Sequence, residues 1–241
     1  MRPTVRRKNA IQDPSPHLIA PLWHTTVFVT VVFAISILGA LRASRGIALA
    51  PTPQSVLTLY VSALAFQWVS FAYVWFGLHR NRVPLREVIG GRWKTPIAVC
   101  RDALIATVFW GVWIAINGLL KILLQKGSVG SGQYLYPHTL SEKLVWVAVS
   151  VSAGFCEEFA FRGYLQTQFR ALTGSVLPAI LLQAAVFAFG HGYQGLKLIT
   201  TIFVYGIMLG LLAWWQRDLR SCMLAHAWTD VINIFRFGQS L

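Results

Sequence analysis

The run Cys156-Glu157-Glu158-Phe159-Ala160-Phe161-Arg162 sets two adjacent carboxylates and a guanidinium among Phe155, Phe159 and Phe161. An ionisable group inside a hydrophobic span costs roughly 2.5–3.5 kcal/mol on insertion scales, so such a set is not kept as solvated surface. Spacing offsets part of that cost. Glu158 and Arg162 are four apart and share a helical face, where they can form an ion pair. Glu157 points about 100° away, because a helical turn holds ~3.6 residues, and it has no partner on its own helix. One carboxylate is neutralised and the other is left available, a pattern that suits a general base.

Two later segments bring imidazoles. Phe187-Ala188-Phe189-Gly190-His191 closes one apolar run, and His226-Ala227-Trp228-Thr229-Asp230 lies within another, with Asn233 further along. His226 and Asp230 are again four apart and share a face. These residue types suggest hydrolysis: a carboxylate and an imidazole activate water, while a second imidazole with a polar partner stabilises an oxyanion. Other uses stay open. The acidic pair with Arg162 can be an ion-pair cluster that fixes helix packing. The same groups can bind zinc through Glu157, His191, His226 and Asp230, although HExxH is missing. They can also form a proton relay in a transporter or a non-catalytic immunity protein, although no repeat of broken helices is visible. Cys156 is read as a small apolar side chain, with a nucleophilic thiol as the sharper alternative.

The elements that must position these residues are membrane helices. The chain of 241 residues is 56% hydrophobic and 12% charged, with a mean hydropathy of +0.57. A soluble domain carries about 25% charged residues. The apolar residues fall in seven blocks, at 22–41, 56–78, 103–124, 144–165 or beyond, 175–190, 195–215 and 221–237. Most approach the ~20 residues needed to cross a bilayer. The fold class expected is therefore all-α, a polytopic bundle of seven or possibly eight transmembrane helices. Gly206-xxx-Gly210 reads as close helix packing. Trp23, Trp146 and Trp215 read as interfacial anchors. His24, His79 and His138 attract no functional assignment.

The net charge of +13 is spread between the apolar blocks, with no basic face for nucleic acid. With seven spans, thirteen Lys and Arg residues fall on the side of the N-terminus and six on the other. The positive-inside rule then makes the N-terminus cytoplasmic, in a bacterial-type inner membrane. Three unpaired cysteines argue against a disulfide framework. The first block is too long for a signal-peptide core and reads as a retained span. The expected organisation is a basic tail over 1–21, N-terminal membrane helices over 22–142 and a catalytic membrane core over 143–237. Helix lengths leave one tension. Glu157 and His191 lie at compatible depths, whereas His226 is about six residues, or ~9 Å, from the start of its helix.

The set Glu157-Glu158-xxx-Arg162, Phe187-xxx-His191 and His226-xxx-Asp230 resembles the three-motif signature of the CPBP (CAAX protease and bacteriocin-processing) intramembrane proteases, among them the Rce1-type CAAX endopeptidases. The resemblance covers roughly 144–237. It implies a glutamate-dependent peptidase without a cofactor, acting on a membrane-associated protein or peptide near its C-terminus or membrane edge. By carry-over, Glu157 and His191 activate water, Glu158 and Arg162 support them, and His226 with position 230 forms the oxyanion hole. The commonest residue at 230 is Asn, whereas this chain has Asp. An ionised Asp230 cannot donate to an oxyanion; it can orient His226, with Asn233 as a substitute amide. The family spans prenylated CAAX ends, bacteriocin-linked members and C-terminal sorting tails, and the sequence does not choose among them.

Overall fold

The computed structural model describes residues 16–44, 53–124, 137–194 and 196–237, and among these it is helical with no strand. The elements are α1 (Leu22–Ser44), α2 (Pro53–Arg80), the short α3 (Leu85–Ile89), α4 (Pro96–Leu124) and α5 (Leu140–Glu158). A π-helical segment (Phe159–Leu165) then leads straight into α6 (Gln166–Thr173), followed by α7 (Val176–Gly190), α8 (Leu196–Gln216) and α9 (Arg220–Phe237). Five stretches are long and apolar enough to cross a membrane: Leu22–Arg42, Val56–Arg80, Pro96–Leu124, Leu140–Thr173 and Leu198–Gln216. α7 is apolar but only 15 residues long. α9, at 18 residues, carries Arg220, Asp230 and Arg236 and falls outside that group. Length and hydropathy thus support five crossings, where the apolar blocks suggested seven.

Two helix starts differ from the hydropathy boundaries for physical reasons. α5 begins at Leu140 because Thr139 and Glu142 form a reciprocal capping box, the Thr hydroxyl accepting from Glu142 N–H while Glu142 accepts from Thr139 N–H. α4 begins at Pro96, well before the apolar block, and so contains the fully buried Asp102. That carboxylate accepts from Arg101 at 2.7 Å and from the Trp93 indole at 2.8 Å. Asp102 heads a stripe with Ala106, Phe109 and Trp113 that is the buried face of α4. Much of the rest, including Leu104, Val108, Ile122 and Leu123, is exposed. An apolar exterior around a polar-seeded interior is what a lipid solvent selects.

The depth tension around His226 has a structural answer. α9 does not begin level with the end of α6. Leu219, just before it, gives its N–H to the carbonyl of Ile89 in α3 and packs beside Gly163. Gly163 is ten residues, or about 15 Å, short of Thr173. The α8–α9 turn is therefore sunk into the bundle, with α3 covering it. Val88 of α3 is fully buried and lies where a Cβ on Gly163 would stand. Gly90 requires glycine twice over, with φ +94° and Asp218 packed against it.

Residues 1–15 of the expected basic tail lie outside the described residues. Its end is fixed to α6: Gln168 accepts from Ile19 N–H at 2.8 Å and donates to the Ala20 carbonyl at 2.8 Å. Trp23 and Trp215 are 61% and 65% exposed. The Trp146 indole N–H donates to the Asp230 carbonyl at 2.9 Å and ties α5 to α9.

Candidate active site

The site is assembled where α5 and the π segment meet α7, α8 and α9. Seven consecutive residues, Phe159 to Leu165, are buried in the π turn. The wider turn lets one helix hold Glu157, Glu158 and Arg162 towards the bundle while α6 keeps a separate register; π turns of this kind concentrate at functional sites. Close approach of α9 is made possible by Gly154, where a Cβ would stand 2.6 Å from the Met223 carbonyl and 2.8 Å from the Ala227 Cβ.

Arg162 and Glu158 form the expected ion pair, Nη1 to Oε1 at 2.8 Å, with neither side chain exposed. The same Oε1 faces His226 Nδ1 at 2.7 Å. A carboxylate only accepts here, so Nδ1 carries the proton and Nε2 is turned to the other acids. Nε2 lies 3.9 Å from Glu157 Oε2 and 3.6 Å from Asp230 Oδ2. His226 is thus ringed by three carboxylates, one of them neutralised by Arg162. Removing one partner of a buried pair such as Glu158–Arg162 costs about 3–5 kcal/mol, since the survivor is left as an uncompensated charge.

His191 ends α7, and its Nδ1 meets the Phe187 carbonyl at 2.8 Å. Because a carbonyl accepts, Nδ1–H is the donor in this contact, which leaves Nε2 as the ring's other nitrogen. Phe187 is the hub of the aromatic packing. Arg162 Cζ lies 4.3 Å over its ring, and it meets Phe161, His191 and His226 at centroid distances of 5.0, 4.9 and 6.0 Å. One cavity of about 270 Å³ is lined by Cys156, Glu157 and His191, with Phe28, Val32 and Ile35 of α1 and a stripe of α2 as walls. Glu157 and His191 therefore face a common space.

The structure brings Glu157, Glu158, Arg162, His226 and Asp230 into one contact network, and of these Glu157 shares the cavity with His191. Cys156 is 1% exposed, its sulfur 3.9 Å from the Ser152 hydroxyl, and it behaves as a packed small side chain. Asn233 is half-buried on α9. Among the described residues, no group of three or more His, Cys, Asp or Glu has the geometry to hold a metal ion.

Two residues went unread in the sequence. Gln67 of α2 is 5% exposed and donates from Nε2 to Glu157 Oε1 at 3.4 Å. It is the one amide in an otherwise apolar or hydroxylic block, which was the available signal. His24 is 1% exposed, bonded to the Tyr164 hydroxyl at 2.7 Å and stacked on Tyr73 at 4.0 Å. It pins α1 to α2 and to the π segment. Its place beside polar Thr25 and Thr26 at a helix start gave no sign of this.

Residues 139–232 match the family described as Rce1-like, Type II CAAX prenyl endopeptidase. No curated protein and no solved structure matches the chain. The matched residues span the ion pair, His191, His226 and Asp230. Together with five membrane-length apolar helices, the match makes this an integral membrane protein and implies a protease.

Proposed function

Taking the chain as a member of the CAAX-protease (CPBP) family on the match over 139–232, we propose that it is an intramembrane glutamic endopeptidase. Its core is 143–237, carried by N-terminal helices 22–142 in a bundle that crosses the membrane seven times, with α7 and α9 as short crossings. Its substrate is a membrane-associated protein or peptide cut near the C-terminus or the membrane edge. The observation that carries the reading is the shared cavity, in which Glu157 and His191 face one space while His226 backs Glu157 from α9.

The chemistry follows from those placements. Glu157 takes a proton from a water held between it and Nε2 of His191. The water oxygen bonds to the scissile carbonyl carbon, and the carbonyl oxygen takes up the negative charge. His226 Nε2–H donates to that oxyanion, oriented by Nδ1–H on Glu158 and by Asp230. As the C–N bond breaks, Glu157 returns its proton to the departing amine. Arg162 holds Glu158 as a carboxylate acceptor and touches no substrate. No step calls for a cofactor.

The test compares membrane proteomes of cells carrying wild type and Glu157→Gln. Substrate C-termini processed in the wild type should remain intact in the variant, at equal protein level. Identical C-terminal peptides in both strains would sink the protease reading.

A further inference from the structure

The residue next to Glu157 that comes from outside the family match is Gln67. It stands on the face of α2 formed by Leu59, Ser62, Ala63, Phe66, Gln67 and Ser70, all lining the cavity. Those residues recur at the three- and four-residue spacing of one helical stripe, so a whole face of α2 is turned to the cavity. The opposing wall, Phe28, Val32 and Ile35 of α1, is apolar. α1 packs on α7 and the turn that follows it, and α2 on α5, so the cavity lies between two helices that meet at the His24–Tyr73 stack. One wall therefore grips by shape and the other offers hydrogen bonds.

Gln67 is the buried polar group of that second wall. Its amide nitrogen is committed to Glu157, which fixes the carbonyl end of the side chain. That Oε1 is buried and has no hydrogen-bond partner among the described residues. A buried acceptor without a donor is costly and calls for an explanation. An extended peptide lying along α2 presents backbone N–H groups on one edge at roughly 6.6–6.8 Å intervals. Ser62 to Ser70 spans about 12 Å of helix, enough for such an edge to pass Gln67.

We propose that Gln67 Oε1 accepts a backbone N–H of the substrate beside the scissile bond, while Nε2 holds Glu157 in line. This rests on the peptidase reading and adds a specificity determinant: the substrate must enter extended, with an unsubstituted amide at one fixed position. A proline or N-alkylated residue there is rejected.

The experiment uses the full chain in lipid nanodiscs and an internally quenched farnesylated peptide ending in Cys-aliphatic-aliphatic-X, the substrate class printed in the family's description. A series replaces one backbone amide at a time by an ester, which removes the N–H but keeps the shape. Wild type should lose about 10–100-fold in kcat/KM at one ester position flanking the cleaved bond, chiefly through KM. Gln67→Met should lose a similar factor on the all-amide peptide and be indifferent to that ester. The wild-type series needs no variant, so a poorly folding Gln67→Met leaves the test intact. Wild type cleaving every ester of the series equally well, or Gln67→Met keeping the wild-type ester profile, overturns the role of Gln67 alone. Wild type cleaving no member of the series, all-amide peptide included, overturns this inference as drawn for a CAAX peptide, while the C-terminal proteome comparison decides the peptidase reading itself.

Discussion

Asp230 is the residue whose type is least expected for the work proposed for it. Its carboxylate lies 3.6 Å from His226 Nε2, the nitrogen proposed to meet the oxyanion, so it can align the ring but cannot itself donate. Asp230→Asn supplies an N–H at the same place and leaves Glu158 to hold Nδ1. Peptide cleavage should stay within about tenfold of wild type, whereas Asp230→Ala, which leaves His226 without its aligning partner, should lower kcat further, up to the ~10²–10³-fold that loss of an oxyanion donor costs. Equal rates for the Ala variant and the wild type, measured on one peptide, would remove position 230 from the chemistry. At this scale the sequence revealed pairs on one helix. Glu158–Arg162 and His226–Asp230 follow from four-residue spacing, which helix geometry converts directly into proximity. It could not reveal His226 against Glu158, 68 residues apart, or Gln67 against Glu157, 90 apart. Those depend on how each helix is rotated about its axis, and apolar faces exposed to lipid leave that rotation unmarked.

Among the elements, the α5–α9 contact decides whether a site exists. Gly154 sits against the α9 backbone two residues before Cys156 and one turn before Glu158. A larger side chain there cannot be absorbed by a flexible neighbour, because the obstructing atoms are the Met223 carbonyl and the Ala227 Cβ. Gly154→Leu should push α9 away, separate Glu158 from His226 and abolish cleavage. The same separation leaves the buried Glu158–Arg162 pair without His226, so thermal unfolding in detergent should fall by several degrees. Gly154→Ala should fall between Leu and wild type. Full activity in the Leu variant would mean that α9 contributes no group to the reaction. Hydropathy located the helices because burying apolar side chains in lipid is a property of composition. It missed the starts of α4 and α5, where the deciding groups are polar: Asp102 held by Arg101 and Trp93, and the Thr139–Glu142 box. The π turn and the sunken start of α9 were equally hidden, since both come from packing against Gly163 and α3.

For the whole molecule, orientation in the membrane determines from which side the polar end of the site is reached. Arg162, Gln166 and Arg170 follow one another at four-residue intervals beside a small cavity bounded by Val176, Ala179 and Trp214. This seam runs from the buried ion pair towards the end of the bundle where α6 meets α7, the end that also bears α3 and the start of α4. The excess of Lys and Arg lies at this end, and on the positive-inside rule we propose that it faces the cytoplasm. Cysteine placement supplies a built-in reporter. Cys156 and Cys222 are buried, while Cys100 is exposed one residue before Arg101, near the start of α4. A membrane-impermeant maleimide should leave the chain unlabelled in intact spheroplasts and label Cys100 once the membrane is opened, with Cys100→Ser removing the signal. Labelling of Cys100 in intact spheroplasts would invert the topology and turn the seam to the outer face. The substrates within reach would then be those whose C-termini lie outside the cell.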